Sequence, residues 1–292
     1  MTLPTVLVTG GCGFIGSHVV QALQKVASAR ILDLAHTPAH GPGMSADIRD
    51  EDALEAAMRS ADVVIHLAAI SDIVRAQADP AKCIDVNVAG TRLVARYAER
   101  AGVRRLVFAS SAAVYGRATG GRPSAETDEP NPSCVYGWSK LSGEKALAQF
   151  NRRGGSAISL RFFNVYGPGQ KRGVVPSMLA AATAGAPLVV HGGGDVRRDF
   201  VAVRDVVRAI LYFALDAHQI PGIVNVGTGT ATSLESLADS ILMLTKSKSG
   251  VLVDRSAKYG VKESRACTLA ARRKGFTTQH SLRQGLVELI PF

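Results

Sequence analysis

The chain has 292 residues, 47% of them hydrophobic and 20% charged, which is typical of a globular protein with one large domain or a large and a small one. It has no apolar run of the roughly 18 residues that a membrane span needs, and its first residues lack a secretion signal, so we expect a cytoplasmic protein without a membrane partner. The net charge of +10 favours an anionic partner, but the basic residues are spread thinly with no aromatic residues between them, which argues against nucleic acid.

The cysteines, Cys12, Cys83, Cys134 and Cys267, are widely separated and form no CxxC pair. No cluster of histidines accompanies them. This spacing predicts four free thiols, with neither structural zinc nor a disulfide framework. We therefore expect no metal.

Short β-branched runs alternate with longer amphipathic stretches over the first 165 or so residues. Runs that stay apolar over four to six residues suit strands buried on both faces of a parallel sheet. The alternation predicts an α/β fold, a doubly wound parallel sheet of the Rossmann-like kind. The predicted strands are Thr5–Thr9, Ala29–Asp33, Val63–His66, Arg105–Ala109 and Ala157–Arg161, and the predicted helices are Ile15–Val26, Asp50–Arg59, Pro80–Ala101 and Val135–Arg153.

The alternation loosens after about Asn164, and the remaining chain predicts a smaller C-terminal α/β region that covers the strand ends and binds substrate. We expect a first domain over residues 1–165 and this second region over residues 166–292, with some elements around residues 200–230 returning to the first domain. The predicted helices are Val174–Gly185, Asp205–Ala217, Ser233–Lys246 and Ser281–Leu289, and the predicted strands are Leu188–Val190 and Ile223–Val226.

A glycine-rich loop joins the first predicted strand to the first helix. In its GxxGxxG spacing, Gly10 permits a tight turn, Gly13 lets backbone amides approach a pyrophosphate, and Gly16 lets the helix pack on the strand. Asp33 ends the second strand, 17 residues after Gly16. A carboxylate there accepts the adenosine ribose hydroxyls and repels a 2′-phosphate, so the pattern predicts NAD rather than NADP. The alternative is that Asp33 only caps a turn.

Tyr136 and Lys140 form a YxxxK pattern at the start of the predicted helix Val135–Arg153. This spacing puts both on one helical face, where the ammonium is expected to lower a phenol pKa that starts at about 10. Ser110 and Ser111 end the preceding strand, at the sheet edge where ligands bind. Ser111, Tyr136 and Lys140 together predict general-base oxidation of an alcohol; alternatively, the YxxxK residues lie on a solvated helix face.

These residues resemble the extended short-chain dehydrogenases, the NAD-dependent epimerase/dehydratase family, and are most similar to its UDP-glucose 4-epimerase group. Residues 34–46 are shorter than the family's usual connection after the second strand. The resemblance covers roughly residues 3–245 and includes Asp47–Asp50, His66–Ala69, Asn87–Thr91, Ser110–Gly116, Leu160–Pro168, Arg198–Val201 and Asn225–Gly229.

The resemblance implies a complete NAD site. Asp47 and Ile48 would hold the adenine, while Asn87 and Phe163 would lie near the nicotinamide half. His66 is interpreted as a packed strand-end residue and not as a catalyst. The residues implied for NAD are Gly10, Gly13, Phe14, Ile15, Gly16, Asp33, Asp47, Ile48, Leu67, Ala68, Ala69, Asn87, Ser110, Tyr136, Lys140 and Phe163.

The resemblance also implies a binding site for a nucleotide sugar, with a UDP-linked sugar as the expected substrate. Arg198 would clamp the diphosphate through charge-assisted hydrogen bonds, with a plain surface arginine as the alternative. Lys258 stands where the family has a nucleotide-binding arginine, and the small Ser264 stands where the sugar 2-substituent is gated, so an N-acetylhexosamine is expected to fit. The residues implied for the substrate are Ser111, Tyr136, Asn164, Arg198 and Lys258.

Ala112 and Ala113 limit which of the family's reactions this site is expected to catalyse. The family's 4,6-dehydratases carry Asp and Glu at the positions of Ala112 and Ala113, and its decarboxylases keep the glutamate at the second position, whereas alanine transfers no proton. The resemblance therefore implies a 4-epimerase that works through a transient 4-keto sugar. The alternatives are a 4-ketoreductase or dehydrogenase, an atypical dehydratase and a non-catalytic NAD-binding sensor. The family also implies a homodimer built from Pro80–Ala101 and Val135–Arg153.

Overall fold

The computed structural model describes residues 3–116, 121–193, 196–215, 222–256 and 261–290. The predicted α/β class is confirmed, because strands and helices alternate through the first half of the chain in the expected order. This half contains the strands β1 (Thr5–Thr9), β2 (Ser28–Asp33), β3 (Gly43–Ser45), β4 (Val63–His66), β5 (Arg105–Ser111) and β6 (Ala157–Phe162), and the helices α1 (Phe14–Leu23), α2 (Glu51–Met58), α3 (Ile73–Ala78), α4 (Pro80–Ile84), α5 (Thr91–Arg100) and α6 (Val135–Arg152).

The second half of the chain forms mostly shorter strands. Strands β7 (Asn164–Tyr166), β8 (Leu188–His191), β9 (Arg197–Arg198), β10 (Phe200–Ala202), β11 (Gly222–Val226), β12 (Thr232–Ser233), β13 (Val251–Asp254) and β14 (Glu263–Ser264) alternate irregularly with helices α7 (Val174–Thr183), α8 (Val203–Leu215), α9 (Leu234–Thr245), α10 (Leu269–Arg273) and α11 (Leu282–Val287).

The main sheet has seven strands in the order β11-β6-β5-β4-β1-β2-β3. All neighbouring pairs from β3 to β6 are parallel. The chain runs outward from β1 in one direction and then returns to continue from β4 in the other, which is the doubly wound arrangement. The ends of β1 and β4 therefore lie side by side, with Thr9 in register with His66, and this edge is where ligands bind in such sheets.

The chain divides into two compact units. The first comprises the described residues of Met1–Gly116, Glu129–Phe162 and Val207–Val224, and the second comprises those of Arg117–Asp128, Phe163–Val206 and Asn225–Phe292. The switch between the units falls after Phe162, and the described residues 207–215 and 222–224 lie in the first unit. Residues 121–128, in contrast, belong to the second unit.

Each unit has its own core. The first is built around Leu7, Leu106 and Phe108 of the sheet, and the second around Leu188, Val190 and Leu237. In the second unit, β10 pairs with β7, β13 pairs with β8, and β9 lies between β12 and β14. None of the described helices combines the length and apolar character that crossing a membrane requires.

The single helix predicted over Pro80–Ala101 is not continuous. A wider turn of π-helical type, Asp85–Gly90, separates α4 from α5. Gly90 packs so closely on Ile48 that a Cβ would lie 2.6 Å from Cδ1 of that side chain, and the hydroxyl of Thr91 donates to the carbonyl of Asn87 at 2.6 Å. The hydrophobic periodicity of the sequence does not predict this turn, because the turn depends on packing against Ile48, which is distant in the sequence.

Candidate active site

The glycine-rich loop, residues 10–16, connects β1 to α1. Gly10 has a φ of +74°, and a Cβ there would lie 2.6 Å from the amide nitrogen of Ala68, so only glycine fits this turn. A Cβ on Gly16 would lie 2.1 Å from the carbonyl oxygen of Gly10. Gly13 precedes α1, and no side chain within the described part of the chain caps that helix. The amides and the positive dipole end at this helix start fit a diphosphate group.

Asp33 lies at the end of β2, next to the glycine-rich loop. Its carboxylate accepts a hydrogen bond from the amide of Cys12 at 3.0 Å and one from the amide of Ala35 at 2.9 Å. The first bond ties the loop to the end of the strand. An ionised carboxylate has about four acceptor positions, so Asp33 shapes the local turn and still has acceptor capacity for ribose hydroxyls.

Ser111, Tyr136 and Lys140 come together in the first unit. The hydroxyl of Ser111, the last residue of β5, is hydrogen-bonded to the phenol of Tyr136 and accepts the amide of Ala113 at 3.2 Å. Tyr136 and Lys140 lie one turn apart on α6, with Lys140 Nζ 5.8 Å from the centre of the Tyr136 ring. Tyr136 is half-buried and Lys140 is 3% exposed. The three side chains therefore form one partly enclosed cluster.

The pKa of the Tyr136 phenol differs from the expected one. Burial raises the pKa of Tyr136 to about 12, and the hydrogen bond with Ser111 only partly opposes this rise. Burial also lowers the pKa of Lys140 to about 8. Loss of hydration disfavours the charged form of each group. The prediction of a lowered phenol pKa was therefore wrong for this arrangement, in which desolvation is the largest contribution to the pKa of Tyr136.

Lys140 lies over an aromatic ring that sequence reasoning did not single out. Its Nζ is 4.9 Å from the centre of the Phe108 ring. The Phe108 ring reaches this place because residue 143 of α6 is glycine: a Cβ there would lie 2.5 Å from Phe108 Cζ. The attraction between a cation and an aromatic face offsets part of the desolvation of the ammonium.

His66 is a packed strand-end residue, as interpreted from the sequence. It is fully buried, and its ring stacks on Phe108 with centroids 5.5 Å apart. Thr91 donates its single hydroxyl proton to the carbonyl of Asn87, so it accepts from His66 Nε2 at 2.9 Å, and Nδ1 accepts from Thr9 at 2.6 Å. Burial, with a smaller contribution from Lys140, lowers the pKa of His66 to about 3, so the ring is neutral.

Asn87 connects three parts of the first unit. Its side-chain oxygen accepts the amide of Ile70 at 2.7 Å, and its side-chain nitrogen donates to the carbonyl of Ile70 and to the hydroxyl of Ser139, both at 3.0 Å. The amide is buried. It therefore fixes the segment after β4 against α6. The contacted residue of α6, Ser139, directly precedes Lys140 in the sequence.

The residues implied for the adenine are engaged within the protein. The carboxylate of Asp47 pairs with the guanidinium of Arg49 at 2.6 Å, and the side chain of Ile48 is 4% exposed and belongs to the core of the first unit. The other residues implied for NAD along the loop and after β4 are half-buried at their strand or helix ends, namely Phe14, Ile15, Leu67, Ala68 and Ala69.

Ser110, also implied for NAD, turns its hydroxyl inward. It donates to the carboxylate of Glu144, a buried residue of α6. Arg161 of β6 holds the same carboxylate. Sequence reasoning missed Glu144 and Arg161, although Glu144 follows Lys140 by four residues and so shares its helical face.

Phe163, Asn164 and Arg198 belong to the second unit. Phe163 is 4% exposed, and the amide of Asn164 donates to the carbonyl of Asp199 at 2.9 Å. The guanidinium of Arg198 donates to the backbone carbonyls of Arg197, Val261 and Lys262 at 2.8, 2.9 and 3.2 Å. Arg198 thus secures the segment that leads into β14. Lys258 lies outside the described residues.

Asp199 organises the loops around Arg198, a role that sequence reasoning missed. It is fully buried, and it accepts the amides of Thr228, Gly229 and Ala266 at 2.8, 2.9 and 3.1 Å. Burial raises the pKa of Asp199, while these hydrogen bonds and one from the Thr228 hydroxyl lower it. In the sequence, Asp199 stands directly before the apolar segment Phe200–Ala202. A carboxylate beside a buried strand needs hydrogen-bond partners, and this is the signal that could have identified it.

No three side chains of the metal-binding types lie close enough to hold an ion within the described ranges. All four cysteines are free thiols. Cys134 caps the start of α6, where its sulfur accepts the amide of Gly137 at 3.4 Å. The described site thus consists of backbone amides, hydroxyls, carboxylates and cations.

The sequence model of the NAD dependent epimerase/dehydratase family matches residues 6–227. A putative UDP-glucose 4-epimerase of Methanocaldococcus jannaschii is 32% identical over 98% of this chain and 97% of its own. A UDP-N-acetyl-alpha-D-glucosaminuronate decarboxylase of Bacillus cytotoxicus is 32% identical over 84% of this chain and 82% of its own. The solved structure of MoeE5 in complex with UDP-glucuronic acid and NAD has a TM-score of 0.90 and 33% identity, with 97% of both chains covered. The similarity extends over nearly the whole chain.

Proposed function

The chain belongs to the NAD-dependent epimerase/dehydratase family, and from that premise we propose that it is an NAD-dependent 4-epimerase of nucleotide sugars. The cluster of Ser111, Tyr136 and Lys140 carries the proposal. It holds a hydroxyl, a phenol and an ammonium, while the neighbouring Ala112 and Ala113 add only methyl groups. This set moves a proton to and from an alcohol and has no further acid for elimination.

The residues of the first unit fit NAD. Gly10 and Gly16 keep the loop clear of side chains, the start of α1 presents amides, and Asp33 presents a carboxylate at the end of β2. These groups would hold the diphosphate and the adenosine ribose. NAD, when bound, supplies a positively charged ring that takes a hydride from the sugar carbon and later returns it.

Tyr136 moves the proton of the sugar C4 hydroxyl. Its pKa of about 12 in the protein means that the phenol keeps its proton at neutral pH. The positively charged ring of bound NAD would lower this pKa, because a nearby positive charge favours the phenolate. The phenolate then takes the C4 proton as the C4 carbon is oxidised to a ketone. When the ketone is reduced from the opposite face, Tyr136 returns the proton, and the alcohol has the inverted configuration.

Ser111 and Lys140 support this transfer. The hydroxyl of Ser111, fixed between the Tyr136 phenol and the amide of Ala113, orients the phenol and can donate to the C4 oxygen. Lys140 adds positive charge beside the phenol and would bind the ribose hydroxyls of the nicotinamide half. Neither residue gains or loses a covalent bond.

The decarboxylase among the relatives presents the competing function. The family resemblance implies a glutamate at the position of Ala113 in enzymes of that type, and a methyl group there transfers no proton. A ketoreductase or dehydrogenase would use the same three residues, but it would consume or accumulate reduced cofactor. Epimerisation leaves the cofactor unchanged after each turnover.

The substrate is proposed to be a UDP-hexose or a UDP-N-acetylhexosamine. The two relatives described above are a putative UDP-glucose 4-epimerase and a UDP-N-acetyl-alpha-D-glucosaminuronate decarboxylase, and MoeE5 was solved with UDP-glucuronic acid. Ser264, at the implied gate for the 2-substituent, is a small half-buried residue of β14 whose carbonyl accepts the amide of Asp199 at 2.9 Å. A small side chain leaves room for an N-acetyl group.

We also propose a homodimer in the cytoplasm. Ile84 of α4 and Trp138 of α6 are 52% and 54% exposed, which supports the helical interface that the family implies. The free thiols fit a reducing compartment. Light scattering of the purified protein after size-exclusion chromatography measures the assembly, and a monomer at micromolar concentration would contradict it.

The function is tested by incubating the purified protein, with and without added NAD, with UDP-glucose, UDP-galactose, UDP-N-acetylglucosamine, UDP-N-acetylgalactosamine and UDP-glucuronic acid. We expect interconversion of a 4-epimer pair with no net NADH. Net NADH would identify a dehydrogenase, and loss of carbon dioxide from UDP-glucuronic acid would identify a decarboxylase. Turnover of UDP-glucose with none of UDP-N-acetylglucosamine would contradict the role given to Ser264.

A further inference from the structure

A buried ion pair lies in the first unit behind the catalytic cluster. The guanidinium of Arg161 on β6 donates two parallel hydrogen bonds to Glu144 on α6, from Nε at 2.9 Å and from Nη2 at 2.7 Å. The two side chains are only 1% and 3% exposed. Taking two charges out of water is expensive, so a pair placed here calls for a reason beyond filling space.

Glu144 of this pair is connected to the catalytic cluster at two places. The hydroxyl of Ser110 donates to the Glu144 carboxylate, and Ser110 directly precedes Ser111 on β5. On α6, Glu144 follows Lys140 by four residues, so the two side chains lie on one face of the helix. Glu144 therefore joins the strand that carries the serine to the helix that carries the tyrosine and lysine.

Lys140 is a buried cation that needs a negative charge close by. The titratable groups that face it are the neutral His66 of β4, the Cys83 thiol of α4, and Tyr136 and Glu144 of its own helix. Burial lowers the pKa of Lys140 to about 8, and Cys83 and Glu144 act in the opposite direction. A thiol is largely uncharged at neutral pH, so the Glu144 carboxylate, one turn from Lys140 on α6, is the group that opposes the effect of burial.

We propose that Glu144, held by Arg161 and Ser110, is a positioning residue that keeps the Lys140 ammonium charged and fixed beside Tyr136. Arg161 holds the carboxylate in one orientation through two hydrogen bonds, and Ser110 ties it to the strand. The catalytic importance of Lys140 rests on the proposed epimerase function, whereas its charge state does not. The two claims can therefore be tested separately.

A purely structural ion pair makes a different prediction. If Glu144 only braced α6 against β6, its loss would loosen the packing, admit water and move the pKa of Lys140 up toward its ordinary value of 10.5. If Glu144 supplies the compensating charge, its loss moves that pKa down, and it does so even when Arg161 is neutralised in the same protein. The two roles are distinguished by the sign of the change.

The experiment follows the titration of Lys140 by NMR in protein labelled with ¹³C at lysine Cε, with Lys140→Met to assign the resonance. We expect the midpoint in Glu144→Gln to fall by about one pH unit or more below that of the wild type, and Glu144→Asp, which keeps the charge, to restore most of the difference. A midpoint in Glu144→Gln that stays unchanged or rises would overturn the proposal.

A second variant covers the case in which Glu144→Gln does not fold. The double variant Glu144→Gln/Arg161→Gln leaves no unbalanced buried charge. Glu144 lies one turn from Lys140 on α6, whereas Arg161 lies on β6 and is bonded to Glu144. We therefore again expect a midpoint below that of the wild type, and one at or above it would overturn the proposal. Sugar interconversion is measured on the same samples: an inactive wild type would refute the epimerase function while the titration stays readable.

Discussion

The ammonium nitrogen of Lys140 lies 4.9 Å from the centre of the Phe108 ring. The same ring stacks on the neutral imidazole of His66, so the catalytic lysine rests on two aromatic layers. Such contacts recover only part of the hydration that a buried ammonium loses. The site therefore holds a cation at the expense of the stability of the fold.

Replacing Lys140 by methionine is expected to stabilise the protein at neutral pH. Burial lowers the pKa of Lys140 from 10.5 to about 8, so keeping the ammonium charged costs the folded state about 3 kcal/mol below pH 8. A methionine of similar length removes that cost. Urea unfolding at pH 7 should show a higher free energy of unfolding for Lys140→Met, up to this amount.

The pH dependence provides the control for this variant. Between pH 8 and 10.5 the unfolded chain keeps the Lys140 proton while the folded protein has lost it, so the Lys140 contribution to the stability rises with pH. Lys140→Met lacks this contribution, so its advantage over the wild type should shrink as the pH rises from 8 to 10. An advantage that is constant with pH, or no advantage at pH 7, would contradict the assigned cost.

Gly143→Ala is expected to destabilise the first unit. The added methyl group would lie 2.5 Å from Cζ of the buried Phe108 ring, and overpacking of this kind costs about 1–3 kcal/mol. Gly250→Ala is the matched control, because a Cβ there meets nothing within 4 Å. The double variant Gly143→Ala/Phe108→Leu should recover part of the loss. Equal thermal midpoints for Gly143→Ala and Gly250→Ala would show that the ring does not occupy this position.

Gly10→Ala is expected to weaken NAD binding. The residue has a positive φ, and its Cβ would meet the backbone of Ala68 at 2.6 Å, so the loop must move away from the arrangement that fits a diphosphate. Gly154→Ala is the control for backbone strain outside the loop, because Gly154 also has a positive φ, +93°, but a Cβ there would meet nothing within 4 Å. Calorimetric titration with NAD should show at least a tenfold weaker affinity for the first variant only.

Arg198→Ala is expected to raise the KM for the nucleotide sugar more than it lowers kcat. The guanidinium holds the carbonyls of Val261 and Lys262, so its loss frees the segment before β14 and removes a cation from the proposed substrate region. Arg198→Lys keeps the charge but not the planar fork, so it should restore little. Full recovery by lysine would show that the charge alone matters.

The sequence was sufficient for the part of the fold that periodicity encodes. Buried strands such as Val63–His66 are continuously apolar, and the strand was found with the predicted bounds. The two-residue strands Arg197–Arg198, Thr232–Ser233 and Glu263–Ser264 were not predicted, because such short segments have no period and form only by pairing within one small sheet. The wider turn at Asp85–Gly90 depends likewise on contact with Ile48.

The candidate site shows the same division. Ser111, Tyr136 and Lys140 were identifiable because their spacing is local in sequence, and the structure brings them together. The direction of the Tyr136 pKa shift and the pairing of Arg161 with Glu144 were not, because both depend on burial by distant strands. Charge type can be read from the sequence, whereas the loss of hydration around the charge cannot.

The central claim is that Tyr136 exchanges the proton of the sugar C4 hydroxyl while the C4 hydrogen leaves and returns within the protein. It is tested by incubating wild type and Tyr136→Phe with UDP-glucose deuterated at C4 in ordinary water. The account predicts UDP-galactose that retains the deuterium at C4 for the wild type, and a rate lower by about 10² or more for Tyr136→Phe with NAD affinity unchanged. Washout of the label, or an active Tyr136→Phe, would contradict it.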